Sequence, residues 1–411
     1  MRIAARLPIM AGLLLAVAAA AQQQPPRVKC AWGGDVNRGA GPKLAASVHH
    51  ELLAFLRLPA EARAKRAAEL VRKRAVDAIE AWKRFRNPEL VLLARACLDH
   101  DDWHVVHRGL HWARELRDPA LLERAWALLD HPEPKLREKA AITCLELWDS
   151  GAAERVAGGR VRETLDVRTT LERDFHVRQA LRALRRRVDG ELEPDVVAPE
   201  VVVELDDGLR WAPFVPGLRH LAEVAPGVVV PQGSWPAGAS AAALPVVERW
   251  NAPLLGYGVE EVPGIEMQPF GNKRGEGTLL HTGQDVGGCS DGAGIYALAD
   301  GIVRYVSAGS DMGVGLVVEH HLAQDELVNA VYMHAGGTLL VTAGERVEGG
   351  QLLGTVGLSW SIENGGQFAH LHLGLYPGPF RLGHNYGYGP ADEGLAGWLD
   401  PAERLSKWIA Q

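Results

Sequence analysis

The sequence has 411 residues, of which 47% are hydrophobic and 23% are charged. This length exceeds one ordinary domain, and this composition excludes a largely disordered protein, so we expect at least two globular domains. Charge divides the chain into two regions: residues 43–191 contain 29 Lys and Arg against 24 Asp and Glu, whereas residues 192–411 contain 10 against 26. The first region is therefore mildly basic and the second strongly acidic.

The first residues are typical of a signal peptide. Two arginines, Arg2 and Arg6, precede an apolar stretch, Leu7–Val17, which is followed by four small residues, Ala18–Ala21. Signal peptidase cleaves after small residues, and the apolar stretch is too short to anchor the chain across a bilayer. We therefore predict a signal peptide over residues 1–21 and a mature protein that begins at Gln22, has no membrane span and is periplasmic or extracellular. Nucleic acid is not an expected partner there.

A polar linker over residues 22–42 leads into residues 43–190, where helix-forming residues dominate and apolar side chains recur every three or four positions. Short motifs in this region recur with a spacing of 31 residues: Asn87–Leu90 as Asp118–Leu121, and Leu98–His100 as Leu129–His131. Each unit is interpreted as a helix pair opened by an Asn-Pro or Asp-Pro step, and such pairs must stack to bury their apolar faces. The pattern resembles a short HEAT-like array. Its basic surface is either an ordinary solvated face or a contact for anionic cell-wall polymers or membrane surfaces.

Four histidines in the helical region would lie on one face of a helix, because their spacings are four, three and four residues. They are His100, His104, His107 and His111. Imidazoles in such a row can bind zinc or copper. However, the equivalent positions 31 residues later are chemically mixed, and Asp101 or Asp102 is a better N-cap than His100. We therefore interpret the row as an ordinary polar edge.

The four cysteines give no disulfide framework, because they are widely spaced. Cys97 and Cys144 fall on apolar helical faces and are predicted to be free, buried thiols. The pattern does not establish a disulfide pairing for any of the four, Cys30, Cys97, Cys144 and Cys289.

The remaining sequence predicts β-structure. Residues 191–261 are rich in Pro, Val and Gly, and Val201–Leu205 followed by Asp-Asp-Gly indicates a strand and a turn, so we expect a linker with some β-structure. From residue 262 to 411, short β-branched segments alternate with glycine turns, as antiparallel strands do. The fold class predicted is a multidomain α plus β protein, with a helical HEAT-like region followed by an antiparallel β-sheet domain.

Three histidine motifs lie in the C-terminal domain: His281-Thr282-Gly283-Gln284-Asp285, Tyr332-Met333-His334 and His370-Leu371-His372. A catalytic zinc needs three nitrogen or oxygen ligands and one open position. Residues two apart in a strand face the same side, so His370 and His372 can reach one cleft. Gly283 is expected to allow a turn that brings His281 and Asp285 to the same ion. Spacing alone leaves open whether His370 or His372 is the ligand.

Four further motifs surround these histidines: Phe270–Arg274, Ala297–Val303, Val347–Gly357 and Asp400-Pro401. Together with the histidines they resemble the lysostaphin-type (LytM-domain) zinc metallopeptidases over about residues 267–405. The resemblance implies that His281, Asp285 and His372 are the zinc ligands, and that His334 and His370 are the catalytic histidines.

Some loops depart from the family pattern. Ala335 stands where the family usually has leucine, and the segments at Cys289–Asp291 and Trp360–Phe368 are longer than usual. These loops border the expected cleft, so the resemblance does not predict which substrate is cleaved.

The sequence therefore predicts a secreted zinc metalloendopeptidase that cleaves peptides of peptidoglycan. All five ligand and catalytic positions are present, whereas relatives that have lost activity carry substitutions there. One alternative is a catalytically silent cell-wall-binding or regulatory protein. Another is a peptidase acting on a secreted protein, in which the helical region would bind the protein partner.

Overall fold

The structure is a computed structural model, and it describes residues 55, 57–59, 62–63, 65–71, 85–86, 91–149, 151–156, 160–192, 195–196, 203–204, 210–213, 244–257, 266–274, 276–287, 292–310, 313–322, 326–357, 369–380 and 387–409. The expected signal peptide and first linker, together with Cys30, Cys289 and the loop Trp360–Phe368, lie outside these ranges. Residues 44–411 form one compact unit. Among the residues described, no helix combines the length and apolar character needed to cross a membrane.

Among the described residues, the α-helices with defined ends are α1 (Val91–Leu98), α2 (Trp103–Leu116), α3 (Leu122–Ala127), α4 (Pro134–Leu147), α5 (Ala152–Arg155), α6 (Val161–Leu171), α7 (Phe175–Val188) and α8 (Pro401–Ile409). Helix α4 is central to the helical region, in contact with α2, α3 and α7. Asp118 accepts a hydrogen bond from the N–H of Ala120 at 2.8 Å and caps the turn that Pro119 begins, as the Asp-Pro step predicts. Its counterpart at Asn87 lies outside the described residues, and the HEAT-like array stays a prediction.

Fully buried aliphatic side chains, among them Leu93, Leu136 and Leu165, form the core of the helical region. Cys97 and Cys144 are free thiols in this core, which confirms the prediction for both. Burial raises the pKa of each thiol. Since only the thiolate is strongly nucleophilic, these cysteines contribute packing and not chemistry.

The strands are β1 (Phe85–Arg86), β2 (Asp195–Val196), β3 (Val203–Glu204), β4 (Arg210–Pro213), β5 (Glu266–Gln268), β6 (Lys273–Arg274), β7 (Leu279–His281), β8 (Gly283–Val286), β9 (Gly294–Tyr296), β10 (Gly301–Ser310), β11 (Gly313–His321), β12 (Leu327–Leu339), β13 (Arg346–Val347), β14 (Leu352–Val356), β15 (Leu371–Pro377) and β16 (Tyr388–Pro390). The largest sheet has the order β13-β10-β11-β12-β15-β8-β5, with β14 and β2 also on β12, and β9 on β14. Smaller sheets are β16-β7-β6 and β1-β4-β3. The ladders between the described strands are antiparallel, which confirms the predicted antiparallel domain.

Alternate residues along strand β15 face the hydrophobic core on one side and the histidine site on the other. Leu371, Leu373 and Leu375 are fully buried in the hydrophobic cluster of the sheet domain. His370, just before the strand, and His372 occupy the alternate positions, and a ring nitrogen of each lies within 3.6 Å of a carboxylate oxygen of one aspartate. The period of two in an extended chain therefore directs both imidazoles to one site, as predicted.

The helical region contacts the sheet domain through buried polar groups. Arg114 of α2 donates to the carbonyl oxygen of Gly292 at 2.7 Å and to Thr355 Oγ1 at 3.1 Å. It also pairs with Glu146 of α4 at 2.5 Å. One guanidinium thus joins two helices to the loop before β9 and to strand β14.

Two histidines of the row, His107 and His111, lie at this contact, so the interpretation of the row as a polar edge is wrong for these two. His107 and His111 are only 7% and 2% exposed. His107 Nε2 accepts a hydrogen bond from Lys139 Nζ at 3.0 Å, which occupies the lone pair that a metal would need. The backbone at Gly292 approaches so closely that a Cβ there would lie 3.0 Å from His111 Nδ1. Docking of the sheet domain, which local spacing does not reveal, buries this face of α2.

Candidate active site

Three potential metal ligands converge where two sheets meet. The chain leaves the three-stranded sheet at His281, the last residue of β7, and joins the large sheet at Gly283, the first residue of β8. Asp285 of β8 pairs directly with His372 of β15. The change of sheet between β7 and β8 brings the side chain of His281 to the other two.

The ligand atoms form a nearly equilateral triangle. His281 Nε2 lies 3.1 Å from Asp285 Oδ1, Asp285 Oδ1 lies 3.0 Å from His372 Nδ1, and the two nitrogens lie 2.9 Å apart. All three residues are buried. Within the described part of the chain, they form a group of side chains whose ligand atoms lie close enough together to hold a metal ion. Ligands at about 2.0–2.1 Å from a tetrahedral zinc lie roughly 3.3 Å apart, so only a small relaxation is needed to bind it.

A backbone carbonyl fixes the orientation of the first imidazole. His281 Nδ1 lies 3.0 Å from the carbonyl oxygen of Pro269, which can accept its N–H. Nε2 then carries a lone pair and faces the carboxylate of Asp285, which is also an acceptor. Two acceptors at 3.1 Å repel each other unless a cation or a proton lies between them. The donor set therefore fits a metal cation, with Pro269 fixing the ring as outer partners of metal ligands do.

Gly283 supports the site because it lacks a side chain. It lies in extended strand β8, so the expectation that it forms a turn is wrong. A Cβ at this position would lie 2.4 Å from the carbonyl oxygen of Leu373 and 2.6 Å from His372 Nε2. Glycine therefore lets the ring of His372 pack against β8 and present Nδ1 to Asp285.

The electrostatics of the site favour metal-binding protonation states. Burial alone would raise the pKa of Asp285, but its contacts with His281 and His372 and the nearby His370 hold that pKa well below its usual range. Burial lowers the pKa of His372, although Asp285 acts in the opposite direction. A charged carboxylate and a neutral imidazole are the forms that bind a metal cation.

Two more histidines lie beside the triangle. His370 Nε2 is 3.6 Å from Asp285 Oδ2, the oxygen that is not part of the triangle. The ring of His334 lies 4.2 Å from the ring of His370, measured between centroids. The five residues singled out in the sequence are therefore brought together in one site.

His334 has an unusual backbone conformation. It lies within β12, which continues to Leu339. Its φ is +61°, in the left-handed region, where a non-glycine residue costs about 1–2 kcal/mol. The pairing of β12 with β14 is irregular between Ala335 and Leu339, and the N–H of Gly357 donates to the carbonyl oxygen of His334 at 2.8 Å. The irregular strand accommodates the conformation that brings His334 beside His370.

Sequence reasoning missed two residues that contact His281. One is Pro269, whose carbonyl orients the ring. The other is Tyr388, whose ring lies 5.1 Å from that of His281 and which pairs with it between β16 and β7. Both contacts depend on chain segments that meet only in the fold. The glycine-flanked tyrosine in the C-terminal sequence carries no local signal of this role.

Residues 279–380 match the sequence pattern of peptidase family M23. The chain therefore contains an M23 peptidase domain, and the five residues of the site lie within the matched segment. No curated protein matches the chain.

Solved structures similar to parts of the chain include peptidases. The catalytic domain of the antimicrobial peptidase lysostaphin from Staphylococcus simulans is 18% identical, with a TM-score of 0.25, and the match covers 34% of this chain and 91% of that one. A zinc-containing peptidase from Vibrio cholerae is 27% identical, with a TM-score of 0.23, and the match covers 27% of this chain and 32% of that one. A further structure of the antimicrobial peptidase lysostaphin from Staphylococcus simulans is 19% identical, with a TM-score of 0.25, and the match covers 34% of this chain and 49% of that one. The matched part of this chain therefore covers less than two thirds of the length of the Vibrio cholerae peptidase and of the second lysostaphin structure.

Proposed function

We propose that the chain is a secreted zinc metalloendopeptidase that cleaves peptide bonds in peptidoglycan. The observation that carries this proposal is the buried triangle of His281, Asp285 and His372, with two more histidines beside it, inside a segment that matches a peptidase family. A structural histidine cluster would not need two imidazoles and a carboxylate aimed at one point. This arrangement is the one that a catalytic metal needs.

The ligands proposed for zinc are His281 Nε2, Asp285 Oδ1 and His372 Nδ1. Zinc bound there supplies a Lewis acid that polarises the substrate carbonyl and increases the acidity of a water molecule. Asp285 contributes the single negative charge of the set, so a divalent ion keeps a net positive charge. The Pro269 carbonyl holds the His281 ring in the tautomer that leaves Nε2 free to bind.

We assign proton transfer to His334 and His370. An imidazole is suited to both accepting and donating a proton near neutral pH. His370 faces the outer oxygen of Asp285 at 3.6 Å, and His334 lies against His370. From these positions one imidazole can accept the proton of the attacking water, while the other donates to the developing oxyanion or to the leaving amine.

The test is metal analysis of the full-length protein followed by digestion of purified peptidoglycans with different cross-links. We expect about one zinc per chain and peptide fragments with new amino and carboxyl ends, identified by mass spectrometry. Zinc binding without cleavage of any peptidoglycan would favour the silent regulatory protein. Cleavage of secreted proteins alone would favour the other alternative.

Export is part of this proposal, because peptidoglycan lies outside the cytoplasm. Its support is the sequence of basic, apolar and small residues over residues 1–21. N-terminal sequencing of the protein from its native host should begin at Gln22. An intact Met1 in a cytoplasmic fraction would contradict export.

A further inference from the structure

The sheet face that carries His281 also carries an exposed cation. Arg274 of β6 lies directly opposite Leu279 of β7, and Leu279 is two residues before His281, so the three residues share one face. Arg274 is exposed and Leu279 is 37% exposed. The triangle of proposed metal ligands is therefore bordered by a surface that offers one positive charge and one apolar side chain.

Tyr388 holds Arg274 beside the site. The guanidinium carbon lies 5.1 Å from the centroid of the Tyr388 ring, and Nη1 donates to the Tyr388 hydroxyl at 3.0 Å. That hydroxyl donates in turn to Gln268 Oε1 at 2.7 Å. The same ring lies 5.1 Å from the ring of His281, so a single aromatic side chain separates the guanidinium from a proposed metal ligand.

Within the part of the chain that the structure describes, Arg274 uses one of its side-chain donors in a hydrogen bond. An arginine has five N–H donors, and the hydrogen bond to Tyr388 occupies one. Within the described residues, no carboxylate lies within 4.0 Å of this guanidinium, whereas Arg304 in the same domain pairs with Glu319 at 2.5 Å. The free donors form a planar fork whose geometry matches a carboxylate.

We propose that Arg274 binds a free carboxylate of the substrate next to the scissile bond, with Leu279 contacting the adjoining aliphatic part. This assignment rests on the proposed function and narrows its substrate class. Cross-links that end on diaminopimelate carry such a carboxylate, whereas bridges made of glycine do not. Because residues 192–411 carry 26 acidic and only 10 basic residues, an anionic substrate needs a local cation such as Arg274 to approach the metal.

The test uses the zinc-loaded full-length protein and two synthetic cross-linked peptides. They are identical except that the carboxyl group next to the scissile bond is free in one and amidated in the other. The amidated peptide cannot accept a charge-assisted hydrogen bond from Arg274, so we expect kcat/KM to be about 10-fold higher for the free acid. Arg274→Gln should remove this preference, because kcat/KM should fall for the free acid and much less for the amidated peptide.

Lys273→Gln is the matched control, because Lys273 is the exposed neighbour of Arg274 on β6 and the change removes the same charge. It should retain the wild-type preference. Equal cleavage of both peptides by the wild type, or an equal loss on both in Arg274→Gln, overturns the assignment.

Binding of the same two peptides, measured by calorimetry, separates this assignment from the proposed function. If the wild type cleaves neither peptide, the proposed function fails. The binding measurements then test on their own whether Arg274 binds the carboxylate. Tighter binding of the free acid that is lost in Arg274→Gln supports the carboxylate site. Equal binding of both peptides overturns it.

Discussion

Asp285 and Glu138 are both buried carboxylates, 6% and 3% exposed, but their pKa values are shifted in opposite directions. The pKa of Asp285 lies well below its usual range, because its contacts with two imidazoles outweigh burial. Burial raises the pKa of Glu138 to about 7, although the hydroxyl of Tyr296 and the ammonium of Lys139 act in the opposite direction. At Glu138 burial therefore outweighs the polar contacts, whereas at Asp285 the polar contacts outweigh burial.

The two carboxylates also lie at different kinds of contact. Asp285 shares its site with groups that converge on one point, which is what a cation needs. Glu138 of α4 accepts one hydrogen bond, at 2.7 Å, from Tyr296 of β9. It belongs to the contact between the helical region and the sheet domain. The first carboxylate is suited to bind a metal, and the second joins two parts of the fold.

The largest effect is expected from removing a ligand beside Asp285. His372→Ala should abolish both stoichiometric zinc binding and peptide cleavage, since the remaining imidazole and carboxylate cannot complete a three-ligand site. Metal analysis of the purified full-length variant measures this. His370→Ala is the control and should retain its zinc. If His370→Ala loses zinc while His372→Ala keeps it, the two roles are exchanged.

The contact between the two regions can be broken at Arg114. Its ion pair with Glu146 is almost completely buried, with side chains 6% and 4% exposed. Arg114→Met should destabilise the fold by about 3–5 kcal/mol, because it leaves the carboxylate of Glu146 buried without its partner. Urea unfolding measures the change. The control is Arg124→Met, whose pair with Asp99 is exposed and should be worth less than about 1 kcal/mol.

The catalytic assignment is sharpened by His334→Ala and His370→Ala. Each change removes a proton carrier and leaves the ligand triangle intact, so cleavage should fall by about 10²–10³-fold while zinc content stays near one per chain. Rates on a defined peptide together with metal analysis of the same sample provide the measurement. Full activity in both variants would contradict a role for these imidazoles in catalysis.

The two regions also differ in how much the sequence predicts. The positions of His370 and His372 follow from the period of two in a strand, so their convergence could be predicted from local spacing. In contrast, Glu138 lies in the segment Pro-Lys-Leu-Arg-Glu-Lys, which resembles the exposed start of a helix. Its burial results from Tyr296, which is 158 residues away in the sequence. The orientation of His281 by Pro269 and the pairing with Tyr388 are likewise properties of the assembled sheets.

The smallest effect is a pH dependence of stability that arises from Glu138. A carboxyl group whose pKa rises from 4.5 to about 7 on folding stabilises the fold fully below about pH 4.5, and this contribution is lost as pH rises through 7. The difference is about 3 kcal/mol at most. Glu138→Gln stays neutral, and its amide oxygen can still accept the hydrogen bond from Tyr296. This variant should therefore lose less stability than the wild type between pH 5 and pH 8, in urea unfolding.

The control for this measurement is Glu123→Gln on α3, an exposed position where the same change in charge should leave the pH dependence as in the wild type. His176, which lies next to Tyr296, titrates in the opposite sense. Burial lowers its pKa, so its contribution is lost as pH falls. Because His176 is present in both proteins, its contribution cancels in the difference between wild type and Glu138→Gln. If the two proteins lose stability equally from pH 5 to pH 8, Glu138 does not titrate in this range, and burial does not raise its pKa as the comparison with Asp285 requires.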